Sequence, residues 1–438
     1  MIDVTRRFRY ARTLSLALLA VAAVPLSDLR AQEATASVDQ LVADLDSTDA
    51  RVRLRAVQAL TRTAPPEAAV PLTRALTDKD DDIQFQAIAG ELNIFLAEPV
   101  IPRKKVGLVV EVRNTISAPL LFEQGPRAFD PRPVPPEVFA ALRRASHDND
   151  HRLSLEALYA FGALSDNAYG ESRGALLSAS VTELVSALTA KDAEMRGGAL
   201  LVIARLYSWR MGDAAVDERV GDAVVRSLND PDPRIRLVAM DALGGLRFDR
   251  SVQSLTDIYQ HFGRGDVATA ALAALARIGH SSSVPLFVKG LAGRDASIRA
   301  IAIEGLARAG ASDRLDAIHG ALANQNNENL LLAGHFANVL LANGPVDELV
   351  GGLAREKLRP RALRYLADIA PGRARLLGSH VADPQAAVRL DLLDVIGLSG
   401  DPDGIVIAQR LQQDTDPVVA RTARRAALRL QAAGAPTP

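Results

Sequence analysis

The sequence predicts an all-α protein: a right-handed α-solenoid of about eleven helical hairpins, with a Pro-rich, β-like insertion near the N-terminal end. Three observations carry this prediction. A helix–turn–helix unit recurs at intervals of 31 or 32 residues where the repeat is clearest. Small residues recur at fixed positions within it, and Asp recurs at its turn. A period of this length is typical of stacked helical repeats, in which each unit packs only on its neighbours.

The N-terminal 31 residues predict a secretory signal peptide. Arg6, Arg7, Arg9 and Arg12 precede the apolar run Thr13–Val24, and a polar stretch then leads to Ala31. The apolar run has 12 residues, whereas a helix needs about 20 to span a bilayer. The other interpretation is an amphipathic or anchoring N-terminal helix. We expect cleavage after Ala31, which leaves a periplasmic or secreted chain with a net charge of −4 and no integral membrane segment.

Composition narrows the function before any motif is considered. The chain has 438 residues, with 51 Lys and Arg against 52 Asp and Glu, so it lacks the basic excess of a nucleic-acid binder. It has no cysteine, which excludes disulfides, thiol nucleophiles and Cys-ligated metals. The expected organisation is a signal peptide (1–31), N-terminal repeats (32–96), the Pro-rich insertion (97–136), the main repeat array (137–431) and a flexible tail (432–438).

The repeat is best aligned on the apolar residue that opens each second helix, which we call the anchor. The anchors are Val52, Ile83, Leu153, Met195, Ile235, Val267, Ile298, Leu330, Val388 and Val419, and a degenerate copy is expected near Leu358. Small residues dominate four and seven positions after the anchor, as at Ala239 and Ala302. These offsets lie on one helical face, where small side chains let helices approach closely. The anchors therefore predict about eleven stacked units.

Polar residues recur around the same anchors. Three positions before the anchor stand Asp49, Asp80, Asp150, Asp192, Asp232, Asp295 and Asp416, with Asn327 as a near match. Asp and Asn at this position predict N-caps. One position after the anchor stand Arg53, Arg196, Arg236, Arg299 and Arg389. An arginine that recurs at this position predicts a ladder of salt bridges to the turn carboxylate of the next unit. Arg236 and Arg299 are expected to bond turn groups of their own or the adjoining unit and to be structural.

The segments Asp232–Gly244 and Asp295–Gly310 carry an Asp-(Pro)-x-x-apolar-Arg-x-x-Ala pattern that resembles the HEAT repeat family. The short period is similar to the HEAT-like repeats of bilin-lyase-type proteins. The resemblance covers Val38–Leu96 and about Pro136–Gln431, and it implies a scaffold or adaptor more often than an enzyme. A HEAT-repeat hydroxylase would hold two irons with paired His-Glu dipeptides, but none of the seven histidines here precedes a Glu.

The repeat is interrupted in three places. The longest interruption, residues 97–136, holds 8 of the 23 prolines, and Lys105–Arg113 within it predicts a strand. It is either padding whose apolar residues, such as Phe122 and Phe129, pack on the stack, or a partner-binding flap. Shorter insertions are expected at Leu164–Leu177 and Tyr207–Asp217, and the second carries Trp209 beside Arg210. An aromatic–Arg group is either a binding hot spot or a plug for an irregular turn.

Three short motifs suggest chemistry, and each has a structural explanation. His147-Asp148-Asn149-Asp150-His151 could hold a divalent metal, but it falls at a repeat turn. Gly170-Glu171-Ser172-Arg173-Gly174 matches the nucleophile elbow without the strand that the elbow requires. Arg264-Gly265-Asp266 matches an adhesion tripeptide but also falls at a turn. Glu91 and Asn338 occupy an otherwise apolar helix position, and we expect them to turn outward.

These observations predict an exported, non-catalytic scaffold that binds a protein or peptide partner, without nucleic acid. No catalytic, cofactor-binding or metal-binding residue is assigned, and no cofactor is expected. The alternative is a HEAT-repeat enzyme, bilin-lyase-like or metal-dependent and hydroxylase-like, that uses the His147–His151 turn or the 97–136 loop.

Overall fold

The computed structural model describes residues 36–96, 118, 122, 130, 132–168, 170–207 and 216–433. Within these ranges the chain is helical and forms a stack of helical hairpins. The helices are α1 Val38–Asp44, α2 Ala50–Thr63, α3 Ala69–Leu72, α4 Asp81–Ile94, α5 Pro136–Ala145, α6 His151–Leu164, α7 Gly170–Ala179, α8 Val181–Leu188, α9 Ala193–Leu206, α10 Glu218–Arg226, α11 Pro233–Leu246, α12 Val252–Phe262, α13 Asp266–Ile278, α14 Val284–Leu291, α15 Ala296–Arg308, α16 Leu315–Leu322, α17 Glu328–Ala342, α18 Asp347–Leu353, α19 Arg359–Ile369, α20 Ala386–Gly397, α21 Asp403–Leu411 and α22 Pro417–Ala433.

Eleven of these helices are the second helices of successive units, which confirms the predicted number. In order, units 1 to 11 have the second helices α2, α4, α6, α9, α11, α13, α15, α17, α19, α20 and α22. The degenerate copy is real, because Leu358 is buried and directly precedes α19. The first helix of unit 10 is reduced to the 3₁₀ turn Ala374–Leu377.

Each second helix for which the sequence predicts an Asp or Asn N-cap has that cap. The Asp295 carboxylate accepts the backbone N–H groups of Ser297 and Ile298 at 2.7 and 3.3 Å, and Asn327 accepts that of Leu330 at 3.0 Å. Asp and Asn satisfy N–H groups that the helix itself leaves unpaired, and the Asp charge is favoured at the positive end of the helix dipole. The same bond is made by Asp49, Asp80, Asp150, Asp192, Asp232 and Asp416.

The columns of small residues form the seams between helices. Residues four positions after the anchor, such as Ala239 and Ala302, are fully buried. A side chain added at Gly290 of the first helix α14 would meet the Ala302 Cβ at 3.2 Å, so this column faces the first helix of its own unit. The residue seven positions after the anchor instead faces the preceding second helix: Ala274 lies at this position, and a Cβ on Gly244 of α11 would stand 3.0 Å from the Ala274 Cα.

The predicted ladder from arginine to a turn carboxylate of the next unit exists, but the aspartate that serves lies five positions before the anchor and not three. Arg53, Arg196 and Arg389 each form a two-pronged salt bridge with an aspartate of the next unit that lies five positions before the anchor. The Arg196 Nε and Nη2 atoms lie 2.7 and 2.9 Å from the two oxygens of Asp230. The aspartate three positions before the anchor does not pair with these arginines, because its carboxylate caps its own helix. We call this row of pairs the turn-edge ladder.

Arg236 and Arg299 occupy the ladder position, are half-buried, and bond turn groups as predicted. The Arg236 Nη1 atom donates to the Asp230 carbonyl oxygen of its own turn at 2.7 Å, and Arg299 Nη2 donates to the Ala321 carbonyl of the next unit at 2.6 Å. Among the described residues neither arginine pairs with a carboxylate. Five positions before the next anchors stand Phe262 and Gln325, so the partner aspartate is missing from the sequence there.

The stack curves so tightly that distant units touch across its inner side. Arg247 follows α11 in unit 5, and its Nη2 atom lies 2.8 Å from Asp368 Oδ1 on α19 in unit 9. Arg429 on the last helix α22 donates to the backbone carbonyl of Asp166, which follows α6 in unit 3. The inner faces of the second helices therefore converge and partly bury one another.

Several boundaries differ from expectation or fall outside the described ranges. The Leu164–Leu177 insertion contains the 3₁₀ turn Ser165–Asn167 and most of helix α7. Helix α22 continues to Ala433, so Ala432 lies in its last turn and not in a tail. The signal peptide, the strand at Lys105–Arg113 and Trp209 lie outside the described residues. No described helix has the length and apolarity needed to cross a membrane.

Candidate functional site

The inner face is built from residues three, six and ten positions after each anchor. These offsets form one stripe on an α-helix, opposite to the faces that pack within and between the units. In units 3 to 6 the stripe carries Glu156, Arg205, Asp241 and Arg277, and in units 7 to 11 it carries Glu304, Arg308, Arg361, Arg364, Asp368, Asp391, Asp394, Arg425 and Arg429. The stripe is thus ionic along most of the array, and arginine is its commonest residue.

The densest part of this face is the central arginine cluster, which consists of Arg247, Arg277, Glu304, Arg308, Arg361, Arg364, Tyr365 and Asp368. At its core, Arg308 donates through Nε to Asp368 Oδ2 at 2.7 Å and through Nη1 to Glu304 Oε2 at 3.2 Å. Glu304 also accepts the Tyr365 hydroxyl at 2.7 Å. These contacts join units 7 and 9 across unit 8. With Arg247 of unit 5 and Arg277 of unit 6, the cluster brings together four separate stretches of sequence.

Aromatic rings complete the floor of the cluster. The Tyr365 ring stacks on Phe336 of unit 8, with 4.2 Å between the ring centroids and 12° between the planes. The Arg308 guanidinium lies over the Phe336 ring, 4.9 Å from its centroid. A cation over an aromatic face is attracted by the ring quadrupole. The rings and the ion pairs together fix the orientation of Arg308.

The charges of the cluster set the protonation of its acids. Burial by itself would raise the pKa of Glu304, but the charges of Arg308, Arg361 and Arg364 outweigh burial and hold this pKa below its ordinary value. Burial raises the pKa of Tyr365 well above its ordinary value, and the neighbouring Glu304 charge adds to the effect. At neutral pH Glu304 is therefore ionised and Tyr365 is a neutral hydrogen-bond donor.

Positive charge is in excess within the cluster. Five arginines face two buried carboxylates, Glu304 and Asp368, while Asp241, which pairs with Arg277, has a side chain that is 77% exposed. Burial lowers the pKa of Arg247, and the positive charges of Arg308 and Arg277 lower it further. The attraction of Asp368 opposes this shift without reversing it. Burial also lowers the pKa of Arg364. The attraction of Glu304 opposes this lowering, and the positive charges of Arg277 and Arg361 add to it.

Arg364 has no hydrogen-bond partner among the described residues. It lies on α19, half-buried, with Arg361 one turn earlier on the same helix. The Arg361 Nε atom also lacks a hydrogen bond, although it lies 3.3 Å from Glu304 Oε1. Arg247 is held in a left-handed backbone conformation (φ 51°) at the end of α11, which costs energy for a residue other than glycine.

A second ionic group links the last unit to unit 3 around Asp166, which lies two residues after the end of α6. This buried carboxylate pairs with Arg205, and the Arg205 guanidinium also lies 4.5 Å from the centroid of the Phe122 ring. Burial would raise the pKa of Asp166, but Arg205, Arg429 and Arg425 lower it overall. Phe122 packs between Arg205 and Tyr159, so this residue of the 97–136 insertion lies against the stack.

The His147–His151 turn does not form a metal site by itself. Asp150 caps α6, and Asp148 accepts the Asp150 backbone N–H at 2.8 Å. His151 instead faces the turn of the next unit, with its Nε2 atom 3.4 Å from Asp192 Oδ1 and 3.6 Å from Glu194 Oε2. These three groups could meet one cation, but all are at least 39% exposed and Asp192 already caps α9.

The remaining motifs have structural positions. The nucleophile-elbow match begins helix α7 after a 3₁₀ turn, and no described strand precedes it. The Gly265 and Asp266 pair opens α13 at a turn, as expected. Tyr207 is buried, while Trp209 and Arg210 lie outside the described ranges.

Glu91 was expected to turn outward, and it does not. Its side chain is fully buried, and neither carboxyl oxygen has a hydrogen-bond partner among the described residues. Burial raises its pKa well above the ordinary value, because a charged carboxylate is disfavoured in an apolar interior. Asn338 is half-buried, next to Gly344.

Comparisons with known proteins add the following. No protein-family model matches the chain, and no curated protein matches it. Among solved structures, an engineered protein is 19% identical and covers 90% of this chain and 98% of its own length, with a TM-score of 0.43. The CpcE–CpcF complex of phycocyanin lyase from Nostoc sp. PCC7120 is 20% identical, and the match covers 57% of this chain and 94% of that one, with a TM-score of 0.38. A designed armadillo repeat protein is 16% identical, and the match covers 62% of this chain and 99% of that one, with a TM-score of 0.34.

Proposed function

We propose that this chain is an exported, HEAT-like scaffold that binds a protein or peptide partner and does not catalyse a reaction. The observation that carries the proposal is the separation of charge. The segment expected after cleavage has a net charge of −4, yet the inner face gathers five arginines around two buried carboxylates. Arginine on a partly covered surface is a common contributor to binding energy between proteins.

The sequence supports the HEAT-like and exported parts of the proposal. The Asp232–Gly244 and Asp295–Gly310 segments carry the HEAT-like pattern, and their Asp residues cap helices as that pattern implies. The arginines, the apolar run and Ala31 within the first 31 residues support export.

Two measurements test the proposal. The chain is expressed with its own N-terminus in a host that exports proteins, and the exported product is sequenced from its N-terminus; we expect it to begin at Gln32. The purified product is then used to capture a partner from the compartment in which the chain resides. The captured partner, purified separately, must bind at a fixed stoichiometry without chemical change in either component. A cytosolic product that retains Met1 would contradict export, and turnover of the partner would contradict scaffolding.

The alternative is a metal-dependent enzyme, and the approach of His151 to Asp192 and Glu194 favours it. Metal analysis of the purified chain and of His151→Ala decides between the two. One tightly held divalent ion that the variant loses would support the enzyme. We expect no stoichiometric metal, because the three groups are exposed and Asp192 is bonded to its own helix.

A further inference from the structure

We propose that the central arginine cluster is a binding site for an oxyanion, contributed by the partner of the proposed scaffold, and that Arg277, Arg361 and Arg364 hold it. This inference rests on the proposed function and names the chemistry of what is bound. An oxyanion here means a carboxylate of an acidic peptide segment or a phosphate or sulfate group.

The first step of the argument is the charge balance. Each of the two buried acids is already committed: Asp368 bonds Arg308 and Arg247, and Glu304 bonds Arg308 and Tyr365. Arg361 and Arg364 also lie near Glu304, but no hydrogen bond joins either guanidinium to it. Arg277 pairs with Asp241, whose side chain is 77% exposed, so the positive charge that is left over within the cluster lies on Arg361 and Arg364. Bringing cations together in a partly buried place costs energy unless an anion is bound.

The second step is the geometry of the free donors. A guanidinium has five N–H groups in a planar fork, which matches the two oxygens of a carboxylate or phosphate. Arg364 has no hydrogen-bond partner among the described residues, and the Nε atom of Arg361 is also without one. Arg277 uses Nη1 to bond both the carbonyl oxygen and the carboxylate of Asp241, at 3.1 and 2.5 Å. Its Nη2 atom lies over the backbone of Gly245, within 2.8 Å of where a Cβ would stand.

The third step is access and orientation. The Arg277 side chain is 24% exposed and Arg364 is half-buried, so their donors are covered but reachable. The Arg361 Nε atom is enclosed, so Arg361 would meet an anion through its Nη atoms. The Phe336 and Tyr365 rings and the Glu304–Arg308–Asp368 pairs hold the floor of the cluster rigid. A rigid floor lowers the entropic cost of binding. The cluster therefore has the donors, the excess charge and the fixed frame of an oxyanion site.

The test uses the full mature chain and measures its melting temperature with inorganic phosphate, with hexaglutamate and with hexaglutamine, each at matched ionic strength in chloride. We expect phosphate or hexaglutamate to raise the melting temperature in a saturable way, and hexaglutamine to have no effect. Tighter binding of hexaglutamate would identify the oxyanion of the partner as a carboxylate, and tighter binding of phosphate would identify it as a phosphate or sulfate group.

The decisive variant is Arg364→Met, which keeps the aliphatic stem and removes the charge. We expect the variant to bind the same probe about tenfold more weakly, the loss of one or more charge-assisted hydrogen bonds. Without probe it should be at least as stable as the wild type, since repulsion from Arg277 and Arg361 is relieved. Arg294→Met, at an exposed position between α14 and α15, is the matched control and should behave like the wild type.

The outcomes separate the site from the proposed function. Equal stabilisation of the wild type, Arg364→Met and Arg294→Met by phosphate would be a general salt effect and would overturn the site, as would the absence of any saturable response. If Arg364→Met is too unstable to test, Arg364→Lys, which keeps the charge but loses the fork, should show weaker binding with normal folding. A partner that binds the wild type and Arg364→Met equally would leave the scaffold standing and refute this site.

Discussion

Arginine lines two regions of this protein, the turn-edge ladder and the inner face, and it is bonded differently in each. On the ladder Arg53, Arg196 and Arg389 each meet one aspartate of the next unit through two parallel hydrogen bonds. In the central arginine cluster, Arg308 and Arg247 share Asp368, while Arg364 has no hydrogen-bond partner among the described residues. The ladder balances charge within each step, and the inner face does not.

The difference follows from how each region is built. A ladder pair depends only on the geometry between adjacent units, so it can recur wherever the sequence supplies both residues. A contact across the inner face depends on the accumulated curvature of several units, so each one is particular to its place. Regular pairing therefore serves the stack, and the irregular surplus on the inner face is what a partner can use.

The largest effect should come from removing the carboxylate that closes the inner face. In Asp368→Asn, Arg308 and Arg247 lose their shared anion, and the buried Arg308 charge is left with Glu304 alone. Breaking a buried ion pair from one side costs about 3–5 kcal/mol. We expect a loss of that order in the free energy of unfolding, measured by denaturant titration.

Asp241→Asn is the matched control for that variant. Its carboxylate also pairs with an inner-face arginine, Arg277, but its side chain is 77% exposed. An exposed pair contributes about 1 kcal/mol or less. Equal losses for Asp368→Asn and Asp241→Asn would show that the inner face is as open to solvent as the outer surface.

The next effect concerns the seam that separates the two regions. Ala302 is fully buried against the first helix of its unit. Ala302→Leu should overpack this seam and lower the free energy of unfolding by about 1–3 kcal/mol. Ala317→Leu, on the exposed side of α16, should change it by less than about 0.5 kcal/mol. If the denaturation midpoints of the two variants coincide, the assignment of the small-residue column is wrong.

A smaller difference should appear within the ladder itself. Arg196→Met leaves the buried Asp230 carboxylate without its partner, and an unsatisfied buried acceptor costs about 1–3 kcal/mol. Arg236→Met removes hydrogen bonds to backbone carbonyls but leaves no carboxylate behind, so we expect about 1 kcal/mol or less. Thermal unfolding of both variants checks the order. A larger loss for Arg236→Met would contradict the pairing.

The sequence predicted the turn edge well because its signals repeat. The caps and the small-residue columns were placed correctly, since they depend on one helix or two adjacent helices. The aspartate of the ladder was misplaced by two positions, because the Asp column five positions before the anchor is populated in only some units. A count of its five members, Asp78, Asp148, Asp230, Asp383 and Asp414, would have found it.

The inner face could not be predicted in the same way. Nothing local joins Arg247 to Asp368, because 121 residues separate them and the contact needs the curvature of four units. The offsets of three, six and ten residues after the anchor were visible in the sequence as an ionic stripe, and this was the available signal. Glu91 is the opposite case: its apolar column correctly indicated a buried position, and the expectation that a carboxyl would turn outward was wrong.

The smallest expected effect is a change in the pH dependence of the ladder. The hydrogen bond from Arg196 holds the pKa of Asp230 below its ordinary value, against the effect of burial. The unfolded chain therefore binds the proton more tightly than the folded chain, so stability from this pair is present above about pH 4 and is lost as pH falls through the folded pKa. In Arg196→Met that loss should disappear, because the pKa of Asp230 returns toward its ordinary value or above.

The measurement is the difference in unfolding free energy between the wild type and Arg196→Met. The pKa values of Asp78 and Asp414 are lowered in the same way in both proteins, so their contributions cancel in this difference. The gap in unfolding free energy between the wild type and Arg196→Met should therefore be constant from pH 6 to pH 8 and narrow between about pH 4 and pH 2. A gap that stays constant to pH 2 would mean that Arg196 stabilises the stack through its carbonyl contacts alone, and the ladder would then differ less from the inner face than its geometry indicates.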